Sequence, residues 1–200
     1  MKNLKNISNG TFLKAIFGNI TGKYKPAFVS FKGDPKEDGD WTRLWNLSDI
    51  GDASNNNYFT LSTFEPDRNG NYLAKNESFH AMHGVVLDDV PISKTKINDK
   101  QIDIKRIRTF LSKASYILET SEGNAQIGYI LKEPVTDIKA IKQLGELLKK
   151  YRLSDPNAVR DLPTRLMRLP QGSNGKNSQL FPCKLKKFDP VLKYSLAELI

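Results

Sequence analysis

Residues 79–90, FHAMHGVVLDDV, restrict the fold more than any other stretch of the chain. Val85, Val86 and Leu87 form a short apolar run rich in β-branched side chains, which predicts a buried strand. The run ends at two adjacent aspartates, Asp88 and Asp89. Carboxylates are costly to bury unless paired or bound to a metal. Taken by themselves, the two acids are read more simply as a strand emerging into solvent and opening a loop. His80 and His83 stand three apart on the same strand, so they are predicted to point to opposite faces and not to share a metal.

Around this strand, helices and strands are mixed without strict alternation. Phe12, Ile16, Phe17 and Ile20 predict a short helix capped by Ser8 or Asn9. Residues 26–31 and 58–64 read as strands, 32–40 and 48–57 as loops, and 67–71 as a turn. Trp41, Leu44, Trp45 and Leu47 suggest a short amphipathic helix; the two tryptophans are read as core in preference to a DNA contact. A one-sided helix is expected over 102–111, then a hairpin of strands 115–119 and 126–131 joined by a turn at 120–124. The clearest helix is 137–151, with Ile138, Ile141, Leu144, Leu148 and Tyr151 as its apolar stripe. Asp155 and Pro156 suit the start of another helix. A strand is expected over 177–184 and a helix from Tyr194. The fold class that results is α/β (α+β), a mixed, largely antiparallel sheet flanked by helices. Residues 1–200 are expected to form one domain, with an N-terminal part over 1–57 and a motif-bearing core over 58–200. The closing SLAELI breaks off in mid-pattern, as in the N-terminal piece of a longer replication protein.

Charge and composition narrow the function. A net charge of +9 and a pI near 9.5 favour a polyanionic partner. Cys183 is the only cysteine, which rules out an intramolecular disulfide and suits a reducing compartment. No apolar run is long enough to span a bilayer, and the first ten residues lack the apolar stretch of a signal peptide. A cytoplasmic protein without membrane contact is expected. A P-loop motor is excluded, because Pro170 stands where the first glycine of the motif must be. A rolling-circle nuclease needs His-hydrophobic-His, and HAMH has one residue too many.

Residues 153–176, LSDPNAVRDLPTRLMRLPQGSNGK, combine an acid, two arginines three apart and a small-residue loop. Carboxylate oxygens suit hard divalent cations, and arginine and lysine suit phosphate oxygens. A second candidate stretch is SEGNAQ, at the hairpin turn. Read in order, VVLDDV, SEGNAQ and the acid followed by RLMRLPQGSNGK resemble the three motifs of the archaeo-eukaryotic primase superfamily, most closely the RepB-like primase domains of phages and plasmids. The family patterns are an acid pair, commonly Asp-x-Asp, at a strand end; a Ser-Gly-type turn leading to a histidine; and an acid upstream of Arg-x-x-Arg-Leu-Pro and a Gly-Ser-x-His-Gly-Lys-like loop. The resemblance runs from about Tyr58 onward.

The resemblance implies a DNA primase-polymerase that joins nucleotides on a template with two divalent ions, Mg²⁺ or Mn²⁺. Asp88, Asp89 and Asp155 would be the catalytic acids and metal ligands. Ser121, Asn124, Gln126, Arg165, Arg168, Asn174 and Lys176 would bind the nucleotide. The implied partners are single-stranded DNA template and primer, dNTP or NTP substrates, and a helicase domain or protein, in the host cytoplasm if the chain is phage or plasmid encoded. This sequence departs from the pattern at two places. Its acids are adjacent, so an ideal strand would aim them apart, and either a bulge brings both to the metals or only one binds. Gln126 and Asn174 stand where histidines are common, so they donate hydrogen bonds but bring no positive charge. Glu119 is a further possible carboxylate donor, or the partner of a lysine. The alternative to an enzyme is a single-stranded-DNA-binding or replication-initiator module of the same fold without catalysis.

Overall fold

The computed structural model describes residues 4–18, 22–92, 96–97, 100–101, 109, 111–150 and 161–199. Asp155, the helix expected from it, and most of the helix expected over 102–111 lie outside these residues. Among the described residues no helix is long and apolar enough to cross a membrane.

The chain begins with α1 (Asn9–Phe17), whose N-cap is Ser8; its side chain accepts from the Thr11 N–H at 3.1 Å. Phe12, Leu13, Ile16 and Phe17 form the buried face of α1. Phe12 anchors it by packing against Phe59, Tyr116 and Phe188. The sheet follows as β1 (Lys25–Phe31), β2 (Asn56–Phe64), β3 (Phe79–Pro91), β4 (Tyr116–Ser121) and β5 (Asn124–Val135). Then come α2 (Ile138–Lys150), β6 (Leu166–Arg168), β7 (Lys184–Phe188) and β8 (Lys193–Tyr194). Ile141, Leu144 and Leu148 of α2 are buried, as their helical spacing predicts.

The eight strands form one sheet in the order β1-β2-β3-β5-β4-β7, with β6 on β2 and β8 on β5. Every pair is antiparallel except β8 with β5. One feature of this topology positions the site. β1 runs along one edge of β2 from Lys25–Phe64 to Phe31–Asn56. The other edge of β2 is shared: β3 pairs with Ser62 to Phe64, and β6 pairs with Tyr58 to Thr60. Beyond Met82, β3 leaves β2 and continues along β5, and β6 takes its place. The far end of β3 and the arginine-bearing β6 are thereby brought beside each other.

Several expectations need correction. Residues 41–46 are extended, not helical, because Leu44 exchanges two 2.8 Å backbone hydrogen bonds with Phe28. Only Leu47–Asp49 makes a helical turn. Pairing with β1 supplies the backbone partners that a helix would have supplied, so it overrides the apolar spacing. Trp41 is also not a core residue; it is 45% exposed. The strand expected over 177–184 is broken. Lys176–Ser178 is a single turn, with Asn177 at φ 60°, and Phe181–Pro182 pairs briefly with Ser173–Asn174. After Tyr194 the chain makes one turn, Leu196–Glu198, closed by a Ser195/Glu198 capping box.

Candidate functional site

The end of β3 contains a bulge. Leu87 pairs with Ile127 and Val90 with Ala125, so Asp88 and Asp89 together stand opposite Gln126 alone. Asp89 takes up the extra residue with φ 55°, a left-handed conformation that aspartate tolerates better than most residues. The regular alternation of the strand is lost there, and Asp88 and Asp89 both line one cleft. The sequence left open whether a bulge brings both acids to one site or only one binds; the bulge is present, and both residues line the cleft.

Asp88 is half-buried and held from three directions. Gln126 Nε2 donates to Asp88 Oδ1 at 3.1 Å, the Asp89 N–H donates to the same oxygen at 3.0 Å, and Arg165 Nη2 lies 3.2 Å from Oδ2. Gln126 is buried, and its Oε1 accepts from the Arg168 N–H at 3.0 Å. Both ends of the amide are therefore engaged within the protein. Arg165 precedes β6 and Arg168 ends it, which is why the Arg-x-x-Arg spacing puts one guanidinium at Asp88 and the other deeper.

Arg168 is only 8% exposed. Its Nη1 donates to Asn56 Oδ1 at 3.2 Å and to the Ser173 carbonyl at 2.6 Å, and its Nη2 donates to Asn174 Oδ1 at 2.7 Å. The guanidinium also lies 4.5 Å from the centroid of the Tyr58 ring. Asn174 Nδ2 donates in turn to the Thr120 carbonyl at 2.9 Å. Gly175 donates from its N–H to Asn56 Oδ1 at 3.0 Å, and a Cβ at this position would lie 2.3 Å from the Gly33 carbonyl oxygen. The Gly-Ser-Asn-Gly-Lys loop is thus bound to the sheet through Asn56, Arg168 and Asn174, and Lys176 at its end is exposed on the cleft rim.

The hairpin between β4 and β5 turns at Glu122 and Gly123. Thr120 and Ser121 line the cleft, and Asn124 stands beside Ser121 with its Nδ2 3.5 Å from the hydroxyl. Glu119 faces β7 instead, pairing with Lys186 at 2.9 Å and accepting from the Gly123 N–H at 3.2 Å. Burial raises its carboxyl, but Lys186 and Gly123 outweigh that and hold it below the usual range. Burial pushes the Cys183 thiol up to about 11, which disfavours its thiolate.

The cleft measures about 550 Å³. Lys36, Arg43, Arg165, Arg168 and Lys176 line it together with Asp88, Asp89 and Asp161. Sequence reasoning missed Lys36, Arg43, Tyr58, Asp161 and Thr164, and it favoured a core position for Trp41 over a nucleic-acid contact. Asp161 was findable as a second acid just upstream of Leu-Pro; the loop residues Lys36, Trp41 and Arg43 reach the cleft only through the pairing of Leu44 with Phe28. Among the described residues no group of three or more His, Cys, Asp or Glu side chains is gathered closely enough to hold a metal. The donor chemistry of Asp88 and Asp89, oxygen only and on one cleft, suits a hard divalent cation such as Mg²⁺ or Mn²⁺.

No protein-family model matches the chain, and no curated protein matches its sequence. Solved structures do. The AEP domain of the cyanophage S-2L primase-polymerase (PrimPol) superposes with a TM-score of 0.57 at 15% identity, covering 90% of this chain and 90% of that one. The catalytic domain of the primase RepB′, in complex with initiator DNA, gives 0.55 at 13% identity over 94% of this chain and 87% of that one. A further structure of primase RepB′ gives 0.54 at 14% identity over 91% of this chain and 56% of that longer one.

Proposed function

We propose that this chain, which has the fold of the archaeo-eukaryotic primases, is a DNA primase-polymerase that transfers nucleotides from nucleoside triphosphates to start or extend a strand on a template. The observation that carries this reading is the bulge at Asp88 and Asp89, two residues that line one cleft with Arg165 and Lys176. Acids and cations so juxtaposed suit a substrate that is itself a metal-bound polyanion.

Asp88 and Asp89 would hold the divalent ions, with Asp155 as a third carboxylate from the segment before Asp161. The ions, when bound, supply charge neutralisation at the triphosphate and activation of the attacking 3′-oxygen. The protein's own groups do the rest. Arg165 offers a planar, bidentate donor to phosphate oxygens, and Lys176 a mobile point charge on the rim. Ser121 donates to the incoming nucleotide, and Asn124 supports that hydroxyl. Arg168, Asn174 and Gln126 act one step back: they hold the loop and orient Asp88. Template and primer follow the cationic surface, with affinity that falls as salt rises. Residues 1–200 are taken as one catalytic domain acting in phage or plasmid replication in the cytoplasm, with a helicase domain or protein as the expected companion.

The test is incorporation of labelled nucleotide on a single-stranded template, with and without primer, in Mg²⁺ and in Mn²⁺. Asp88→Ala and Asp155→Ala run beside the parent. Metal-dependent synthesis that both substitutions abolish supports the reading, and product in the unprimed lane adds priming. Salt-sensitive DNA binding with no synthesis in any protein would make the chain a binding module of the same fold.

A further inference from the structure

We propose that Trp41 is a stacking platform for an unpaired nucleobase at the cleft mouth, with Lys36 and Arg43 beside it to take the attached phosphate. The inference rests on the nucleic-acid reading of the cleft, though not on catalysis.

The two tryptophans of the chain have different surroundings. Trp45 packs against Phe64 and Tyr72, at ring-centroid separations of 6.1 and 5.0 Å. Trp41 lines the cleft and is 45% exposed, although its supports Phe31 and Tyr58 are 6% and 7% exposed. A tryptophan left 45% exposed forgoes much of the hydrophobic gain of burial.

The ring is nevertheless held. It meets Phe31 edge-on at 5.0 Å and Tyr58 at 5.5 Å with a 46° tilt. The Gly39 backbone lies so close that a Cβ there would come within 2.5 Å of Trp41 Nε1. Arg43 Nη1 donates to the Trp41 carbonyl at 3.0 Å, fixing the backbone as well. On the loop before it, the Asp34 N–H donates to Asp38 Oδ2 and the Lys36 N–H to Asp34 Oδ1, both at 2.8 Å, which sets where Lys36 stands. An exposed, supported aromatic ring on a cleft that Lys36 and Arg43 also line matches a base with its phosphate: every base has a π-face, and stacking tolerates any sequence. Preorganisation of the ring lowers the entropy lost on binding.

The base could belong to the template strand or to the incoming nucleotide, and the experiment separates the two. In a Trp45→Phe background, Trp41 is the sole tryptophan and its emission reports directly on stacking. Four probes are titrated at fixed ionic strength: a thymidine oligonucleotide, an abasic oligonucleotide of equal length, dATP, and tripolyphosphate. The nucleotide arms contain Mn²⁺ and no template, so no templated strand is made. Affinities for Trp41→Ala, Trp41→Leu and Trp41→Phe, which leave no tryptophan in this background, are then compared with the parent by isothermal titration calorimetry. The expected result is quenching by a base-bearing probe and its weakening by roughly five- to a hundredfold in the Ala and Leu variants. Phe is expected to retain most of the affinity, and the base-free probes to bind every variant alike. A loss confined to the oligonucleotide assigns the base to the strand, and a loss confined to dATP assigns it to the substrate. Equal losses for base-bearing and base-free probes, or no quenching by either base-bearing probe, would overturn the proposal. Stacking that persists in a protein unable to synthesise DNA would sink the polymerase reading and leave this one standing.

Discussion

Gln126 joins the two halves of the cleft: its Nε2 donates to Asp88 Oδ1 at 3.1 Å, and its Oε1 accepts from the Arg168 N–H at 3.0 Å. The amide spans from β3 to β6, and its oxygen and nitrogen are assigned by these two partners. A residue tethered at both ends orients the carboxylate beside it, as partners behind a metal ligand do. Gln126→Leu, close in size but without the amide, is expected to weaken Mn²⁺ binding and synthesis together by about 10- to 100-fold. Calorimetric titration of Mn²⁺ beside a synthesis assay checks this. If synthesis fell while Mn²⁺ affinity held, the amide would be acting on the nucleotide and not on Asp88.

The two arginines of β6 and its approach are expected to behave differently. Arg168→Ala strands the acceptors on Asn56, Asn174 and Ser173, so a loss of about 3 kcal/mol in urea unfolding is expected. Arg168→Lys should recover little, because an ammonium cannot reproduce the planar fork. Arg165 is 32% exposed at its side chain, and Arg165→Ala should change stability by no more than about 1 kcal/mol while weakening nucleotide binding. Comparable destabilisation in both variants would contradict this division of labour.

Asp89 separates backbone from side chain. At φ 55° a residue with a Cβ is mildly strained, and glycine is not. Asp89→Gly should fold within about 0.5 kcal/mol of the parent, whereas Asp89→Ala should lose about 1 kcal/mol. Asp89→Asn keeps the conformational preference and removes the charge. All three are expected to lose metal-dependent synthesis if the carboxylate is a ligand, whatever their stability. Full activity in the Asn variant would leave Asp88 and Asp155 as the ligands.

His83 makes folding sensitive to acid. It packs against Phe17 and lies 3.3 Å from Thr63 Oγ1, and burial lowers its pKa to about 4, with the nearby His80 adding to the effect. In the unfolded chain its value is about 6.5. Between these values the unfolded state binds a proton that the native state does not, so stability rises with pH there. The contribution is complete above about pH 6.5 and is lost as pH falls towards 4, by up to about 3 kcal/mol. Urea unfolding between pH 4 and 7 measures the slope, and His83→Gln should flatten it. An unchanged slope in that variant would assign the acid sensitivity elsewhere.

Much of the architecture was legible in the chain because it is locally encoded. The apolar run 85–87, the alternation over 58–64 and the stripe of α2 each name their element through side-chain period alone. The same locality made the motifs readable in order, including the acid pair, the hairpin turn and RLMRLPQGSNGK. Where the local signal was weaker than a distant partner, the reading failed. Residues 41–46 have helical spacing yet are not helical, since Phe28 takes both backbone hydrogen bonds of Leu44.

The sequence by itself determined which residue types were available to the cleft: two adjacent acids, two arginines three apart and a small-residue loop ending in lysine. Which of them face the cleft was decided by tertiary structure. One extra residue opposite Gln126 puts Asp88 and Asp89 on one cleft, and the shared edge of β2 sets Arg165 against Asp88. The same packing draws Arg168 inward, where Asn56 from a segment more than a hundred residues away accepts its hydrogen bond. Register shifts and long-range partners depend on how strands compete for one edge, and no local pattern of side chains encodes that competition.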